Sequence, residues 1–221
     1  MELAALCSGG KDSSYALWLA SKEGHEITKI VSMIPQRADS WMFHQPHSEV
    51  MELFAEASNI PLLKGETLGI KEKELEDLKN LLEGLSVDGV VSGALASNYQ
   101  KTRIDKICEE LDLISINPIW QKNPSKLLAD MIKEEFEIII TSVSAEGFEK
   151  EWLGRKIDRE CLEDLKSLKE KFGIHITGEG GEYETLVLDA PYFEKRIVPV
   201  ETDRVWKGDR GYLKIKEFEL E

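Results

Sequence analysis

Residues 3–14 read Leu3-Ala4-Ala5-Leu6-Cys7-Ser8-Gly9-Gly10-Lys11-Asp12-Ser13-Ser14, and their reading decides the fold. The first half is a short apolar run, the pattern of a strand buried on both faces. The second half holds two adjacent glycines and leads into Tyr15, Leu17, Trp18 and Leu19 at helical spacing, with a stop near Gly24. Strand, glycine turn and helix form the opening unit of a parallel α/β sheet. The glycines let the backbone turn sharply and approach a ligand closely. The new helix directs unpaired N–H groups and its positive dipole end out of the turn. Ser8, Ser13 and Ser14 add hydroxyls, and Lys11 adds a cation for phosphate oxygens. Asp12 suits either a helix cap or a ligand for phosphate-bound Mg²⁺. Ligands of open α/β sheets bind at the carboxyl ends of strands, so residues 8–14 predict a phosphate site. A glycine-rich capped turn without ligand is the plainer alternative. The spacing is not that of a Walker P-loop, because Asp12 follows Lys11 and Ala5 stands where the first glycine should be. Nor is it Gly-x-Gly-x-x-Gly.

The same rhythm continues outward. Ile27–Ile34, Pro61–Leu63, Asp88–Gly93 and Leu113–Ile116 read as strands. Ser48–Ser58, Lys71–Glu83 and Asn98–Leu111 read as helices, with Leu75, Leu78, Leu81 and Leu82 on one face of the second. The charge run Lys71-Glu72-Lys73-Glu74 reads as a solvated helix face. The pattern changes near residues 118–124. A helix over Lys126–Glu135, a strand over Glu137–Val143 and a helix over Asp158–Phe172, capped by Asp158, are followed by a glycine cluster at 178–181. Strand-like runs follow at Thr185–Leu188, Arg196–Val200 and Tyr212–Phe218. The expected fold is α/β, with a Rossmann-like parallel sheet over residues 1–120 and a smaller α+β part over 121–221.

The 221 residues carry 28 Lys+Arg against 42 Asp+Glu, a net charge of −14. That balance speaks against a general nucleic-acid binder, which needs an excess of cations on one face. It equally disfavours anionic membranes, and no run approaches the ~18 apolar residues of a membrane span. Cys7, Cys108 and Cys161 are far apart and form no C-x-x-C pair, which gives no zinc ribbon or redox dithiol. Scattered thiols and no basic leader at Met1 point to the cytoplasm. The oligomeric state is not legible, and a homodimer is one option.

Ser8-Gly9-Gly10-Lys11-Asp12-Ser13 resembles the pyrophosphate-binding loop of the N-type ATP pyrophosphatases, which split ATP into AMP and pyrophosphate to activate a carboxyl or a base carbonyl. Three further blocks narrow the likeness. They are Ser92-Gly93-Ala94-Leu95-Ala96-Ser97-Asn98-Tyr99-Gln100-Lys101-Thr102-Arg103, Trp152-Leu153-Gly154-Arg155, and Gly178-Glu179-Gly180-Gly181-Glu182-Tyr183-Glu184-Thr185. Together they resemble the diphthine–ammonia ligase (diphthamide synthase) family, over residues 1 to about 206. The resemblance implies a nucleotide domain of the adenine nucleotide alpha hydrolase type over 1–120 and a family-specific substrate domain over 121–221. It implies ATP and Mg²⁺ as cofactors, and amidation by ammonium of diphthine on translation elongation factor 2. Nothing resembles a glutaminase domain, so free ammonium is the expected nitrogen donor. The long C-terminal extension of eukaryotic members is expected to be absent.

On this reading Ser8, Gly9, Gly10, Lys11, Asp12, Ser13 and Ser14 bind the nucleotide. Gly93 and Ala94 leave room for it at a neighbouring strand end. Met33 is placed against adenine by analogy with related enzymes. Tyr99, Gln100 and Arg103 follow on the first turns of the next helix, where Gln100 and Arg103, three residues apart, share a face. Arg103 suits a bidentate clamp on phosphate or carboxylate, or else a surface ion pair, and Arg155 presents the same choice. Glu179, Glu182, Glu184 and Tyr183 around Gly180 and Gly181 suit the quaternary ammonium and imidazole of diphthine; a metal site or an exposed acidic turn are the alternatives. His44 follows the second strand and is placed near the pocket, while Pro46 argues against a His44–His47 metal pair. Lys11, Asp12, Arg103 and Glu182 are the expected catalytic residues, with Asp12 on the metal. Two rivals stay open: a tRNA-modifying enzyme using the same loop, and an ATP-binding sensor without turnover.

Overall fold

The computed structural model describes residues 1–35, 50–68 and 73–221. His44 and the His44–His47 pair lie outside the described residues. The elements run β1 (Glu2–Leu6), α1 (Lys11–Lys22), β2 (Glu26–Pro35), α2 (Val50–Ser58), β3 (Leu62–Thr67), α3 (Lys73–Glu83), β4 (Gly89–Val91), α4 (Asn98–Glu110), β5 (Ile114–Ile116) and α5 (Pro124–Lys133). They continue with β6 (Glu137–Val143), a 3-10 turn (Lys150–Trp152), α6 (Arg159–Phe172), β7 (Tyr183–Asp189), β8 (Ile197–Lys207) and β9 (Arg210–Leu220). The chain divides into two compact units, Met1–Trp120 and Gln121–Glu221.

The first unit is built on a five-stranded sheet in the order β3-β2-β1-β4-β5, and all four pairings are parallel. Apolar β1 had to be central: Leu3, Ala4 and Ala5 are at most 1% exposed. From β1 the chain winds outward to β2 and β3, then returns past β1 to β4 and β5. The direction therefore reverses between β1 and β4, the crevice where open α/β sheets bind ligands. Leu78 and Leu82 of α3 and Ile104, Ile107 and Cys108 of α4 pack in one buried cluster with Ala4, Val31, Met33 and Val90. The heptad-like Leu spacing of α3 thus does what its periodicity predicts.

The second unit has a four-stranded sheet in the order β7-β6-β9-β8, all antiparallel. Asp158 caps α6 as expected, accepting a 2.9 Å bond from the Cys161 N–H, and Gly173 ends the helix in the left-handed region at φ 74°. Replacing Asp158 by Ala is expected to lower unfolding free energy by ~1 kcal/mol, measured as a shift in urea midpoint. Sequence reading shortened β8 and β9. The turn residues Gly208-Asp209 join them as a tight hairpin with Lys207 paired to Arg210. Polar positions belong to this ribbon because cross-strand charges meet: Lys216 Nζ lies 2.6 Å from Glu201 and 2.9 Å from Asp203. No helix among the described residues is long and apolar enough to cross a membrane.

Candidate functional site

The turn after β1 is held by its own serines. Gly9 adopts φ 80°, a left-handed conformation that the missing Cβ makes accessible. Ser13 Oγ accepts from the Ser8 N–H at 3.3 Å, and the Ser13 and Ser14 hydroxyls donate to the Gly10 carbonyl at 3.2 and 2.8 Å. The extended Gly10 is the N-cap of α1 and brings no side-chain cap. Helix geometry leaves the first-turn N–H groups without an acceptor inside the helix, so they face out of the turn. Lys11 is only 3% exposed, and its Nζ lies 2.7 Å from Asp12 Oδ2. Asp12 Oδ1 is buried without a hydrogen-bond partner. A buried ammonium beside a carboxylate with one oxygen unsatisfied is costly as bare structure.

The end of β4 reaches this turn. A Cβ on Gly93 would lie 2.6 Å from the Ser13 nitrogen and 2.7 Å from the Asp12 carbonyl carbon. The space opened by this glycine is thus taken by the backbone of α1, and the two loops sit edge to edge as their places in the sheet predict. Ala94 is buried behind it, 3% exposed. Ser97 caps α4 by accepting from the Gln100 N–H at 3.3 Å. One turn on, the Arg103 guanidinium stacks on the Tyr99 ring at 3.5 Å, which fixes a planar cation beside an aromatic face. Met33 lies near the end of β2 opposite Gly65, with its side chain in the core.

In the second unit the acidic glycine segment forms a tight loop before β7. Gly178 and Gly181 have φ 76° and 79°. The Glu182 carboxylate accepts from the His175 N–H at 2.7 Å and the Gly180 N–H at 2.8 Å. It organises the loop from inside, which the sequence pattern does not reveal. The Tyr183 ring is buried beside Phe148, and its hydroxyl donates to the Ile176 carbonyl at 2.6 Å. Glu179 is exposed and Glu184 half-buried. Arg155 pairs with Asp164 at 2.5 Å and stacks on Trp152 at 4.6 Å; its head group is engaged by the α6 carboxylate.

Sequence reasoning passed over two features of the first unit. Glu74 is fully buried, at 0% exposure, although its charge run read as a solvated face. The signal was available: Glu74 stands four residues before Leu78 and eight before Leu82, on the core stripe, where a carboxylate is out of place. The second feature is a string of polar side chains at the ends of β4 and β5, comprising Ser92, Asn117, Ser115 and Asp105. No sequence motif marks it, because the four come from three elements.

With this geometry established, comparison with known proteins places the chain. The diphthamide synthase N-terminal domain family matches residues 1–115, and the diphthamide synthase C-terminal domain family matches residues 123–220. The human diphthine–ammonia ligase is 35% identical over all of this chain and 93% of its own length. The Schizosaccharomyces pombe diphthine–ammonia ligase is 35% identical over 98% of this chain, which spans only 39% of that longer protein. Among solved structures, a predicted subunit of tRNA methyltransferase from Methanocaldococcus jannaschii matches 86% of this chain and 98% of its own, with a TM-score of 0.45 and 15% identity, too distant to bear on function. The two domain matches cover both units of the structure, and by them the chain belongs to the diphthamide synthase family.

Proposed function

We propose that this chain catalyses ATP-dependent amidation of diphthine on translation elongation factor 2, with ammonium as nitrogen donor. The observation that carries the reading is the pairing of buried Lys11 with half-buried Asp12 at the N-terminus of α1, on the switch-point edge of the sheet. The relatives named above as diphthine–ammonia ligases support it. In the first step the diphthine carboxylate attacks the α-phosphorus of ATP, and pyrophosphate leaves. In the second, ammonia attacks the acyl carbon, AMP leaves, and a proton is lost to give the amide. The barrier to the first step is largely charge on the leaving pyrophosphate. The N–H groups of the first turn of α1 and the Lys11 ammonium would meet that charge as donors already fixed in place.

Asp12 fits a divalent cation, since Lys11 neutralises Oδ2 while Oδ1 is buried and unsatisfied. Asp12 would hold Mg²⁺ here, and the ion when bound would supply further charge neutralisation. Arg103, held flat by Tyr99, is suited to a carboxylate or phosphate, with Gln100 beside it on α4. Glu179 and Glu184 are the carboxylates we assign to the cationic side chain of diphthine, because Glu182 holds the loop together. A tRNA-thiolation chemistry would need a reactive thiolate. Burial pushes the Cys7 thiol up to about 12, Cys108 to about 11 and Cys161 to about 12, so none ionises near neutral pH.

Incubation with diphthine-bearing elongation factor, ATP and ammonium tests the proposal. AMP and pyrophosphate should form in step with replacement of a hydroxyl by an amino group in the mass of the factor. ADP and orthophosphate, or nucleotide turnover without a mass change, would sink it.

A further inference from the structure

We infer that Asp105 is a positioning residue for the nucleotide site, acting through Ser115, Asn117 and Ser92 to fix the strand end that meets the N-terminus of α1. The inference rests on the proposed ATP site and adds to it residues outside the loop itself. Ser92 Oγ and Asn117 Oδ1 are 2.5 Å apart; the amide oxygen can only accept, so the Ser92 hydroxyl donates. Asn117 Nδ2 donates to Ser115 Oγ at 3.0 Å and to Asp105 Oδ1 at 3.4 Å. The Ser115 hydroxyl donates to Asp105 Oδ1 at 2.6 Å. Lys101 pairs with the other carboxylate oxygen. Burial alone would raise the Asp105 pKa, but the bonds from Lys101 and Ser115, the Lys101 charge and the Asn117 bond lower it overall, so the carboxylate stays ionised.

Direction is what makes this chain of contacts informative. An ionised carboxylate only accepts. It therefore sets the Ser115 hydroxyl, which with Oδ1 sets the Asn117 amide, which sets the Ser92 hydroxyl. Ser92 is 3% exposed and sits at the carboxyl end of β4, and its Oγ lies 3.5 Å from the Ala94 N–H. Between them stands Gly93, pressed on the Asp12–Ser13 backbone. A string of four side chains from α4, β4 and β5 thus holds a segment that lies directly against the backbone of the first turn of α1. The parallel β4–β5 ladder fixes the same strand end only through backbone, including the Ser92 N–H to the Ile116 carbonyl at 2.9 Å. Nothing about holding β5 requires an oriented relay that stops at Ser92.

The test uses the full chain and two readouts, the Kd of a non-hydrolysable ATP analogue by calorimetry and the KM for ATP in AMP formation. Asp105→Ala and Ser115→Ala are each expected to raise Kd and KM about tenfold with kcat within about twofold. The double variant should be no worse than about either single, because both break one relay. Ser115→Thr, which keeps the hydroxyl, should restore binding. Glu110→Ala removes another α4 ion pair, with Lys79, and should leave Kd within about twofold. Unchanged Kd in Asp105→Ala and Ser115→Ala, or losses that simply add, would overturn the inference while leaving the ATP site standing. Should either single variant unfold, Asn117→Ala and Ser92→Ala are read in the same way. A native chain that binds no nucleotide would overturn the proposed function and this inference with it.

Discussion

Lys11→Ala is expected to slow AMP formation by about 10²–10³-fold, the loss typical when one preorganised donor to developing charge is removed. The expectation is high because this lysine is not a surface cation. It is 3% exposed with its ammonium 2.7 Å from Asp12. In that setting it acts without the screening that weakens exposed pairs. Its removal also strands the Asp12 carboxylate, whose other oxygen already lacks a partner. Two consequences then separate. Folding stability falls, because taking one partner from the pair leaves the Asp12 carboxylate uncompensated, with its 22% side-chain exposure limiting the loss, while binding of the ATP pyrophosphate segment is lost even at temperatures where the variant is fully folded. The measurement is kcat/KM for ATP alongside the thermal midpoint. A variant that keeps its rate within about threefold would remove Lys11 from the charge-stabilising role. A rate lost only in parallel with the midpoint would make the lysine structural.

The N-terminal half of the fold was legible because periodicity and glycine placement agree there. Leu3–Leu6 is too short and too apolar for anything but a buried strand, and Gly9-Gly10 ends it abruptly. The antiparallel ribbon of β8 and β9 was less so. Glu201, Asp203, Arg204, Lys214 and Lys216 disguise two long strands as loop, since charges paired across a ribbon look the same in sequence as charges facing water. In the candidate site, the loop residues 8–14 declare themselves because they are contiguous. Glu182 was legible as a carboxylate in a glycine loop but not in its work, because a carboxylate that accepts from His175 and Gly180 N–H groups is invisible until the backbone is folded around it. Arg155 likewise shows its Asp164 partner only once α6 is in place. Ser92, Asp105, Ser115 and Asn117 carry no local signature at all.

Gly93→Ala should have an effect as large as loss of Lys11, for a different reason. The added methyl would stand 2.6 Å from the Ser13 nitrogen and 2.7 Å from both the Asp12 carbonyl carbon and the Ser13 Cα. These are backbone atoms of a helix N-terminus, with no rotamer to turn aside. Ordinary contact is therefore restored only if β4 and α1 separate by the better part of an ångström. Part of that strain appears as destabilisation, ~1–3 kcal/mol for an overpacked site. The rest appears in the site, where a shift of about 1 Å in positioning groups costs about 10²-fold in rate. Gly84→Ala supplies the control, because a Cβ there meets nothing within 4 Å, and a small gain in stability is expected from the narrower unfolded ensemble. The two variants are compared by urea midpoint, ATP-analogue Kd and rate of AMP formation. If Gly93→Ala binds and turns over like the native chain, the contact between β4 and the N-terminus of α1 does not set the geometry of the nucleotide site. If it binds poorly at a temperature where it is fully folded, the glycine is there to let one strand end approach one helix end, and the phosphate site is the product of that approach.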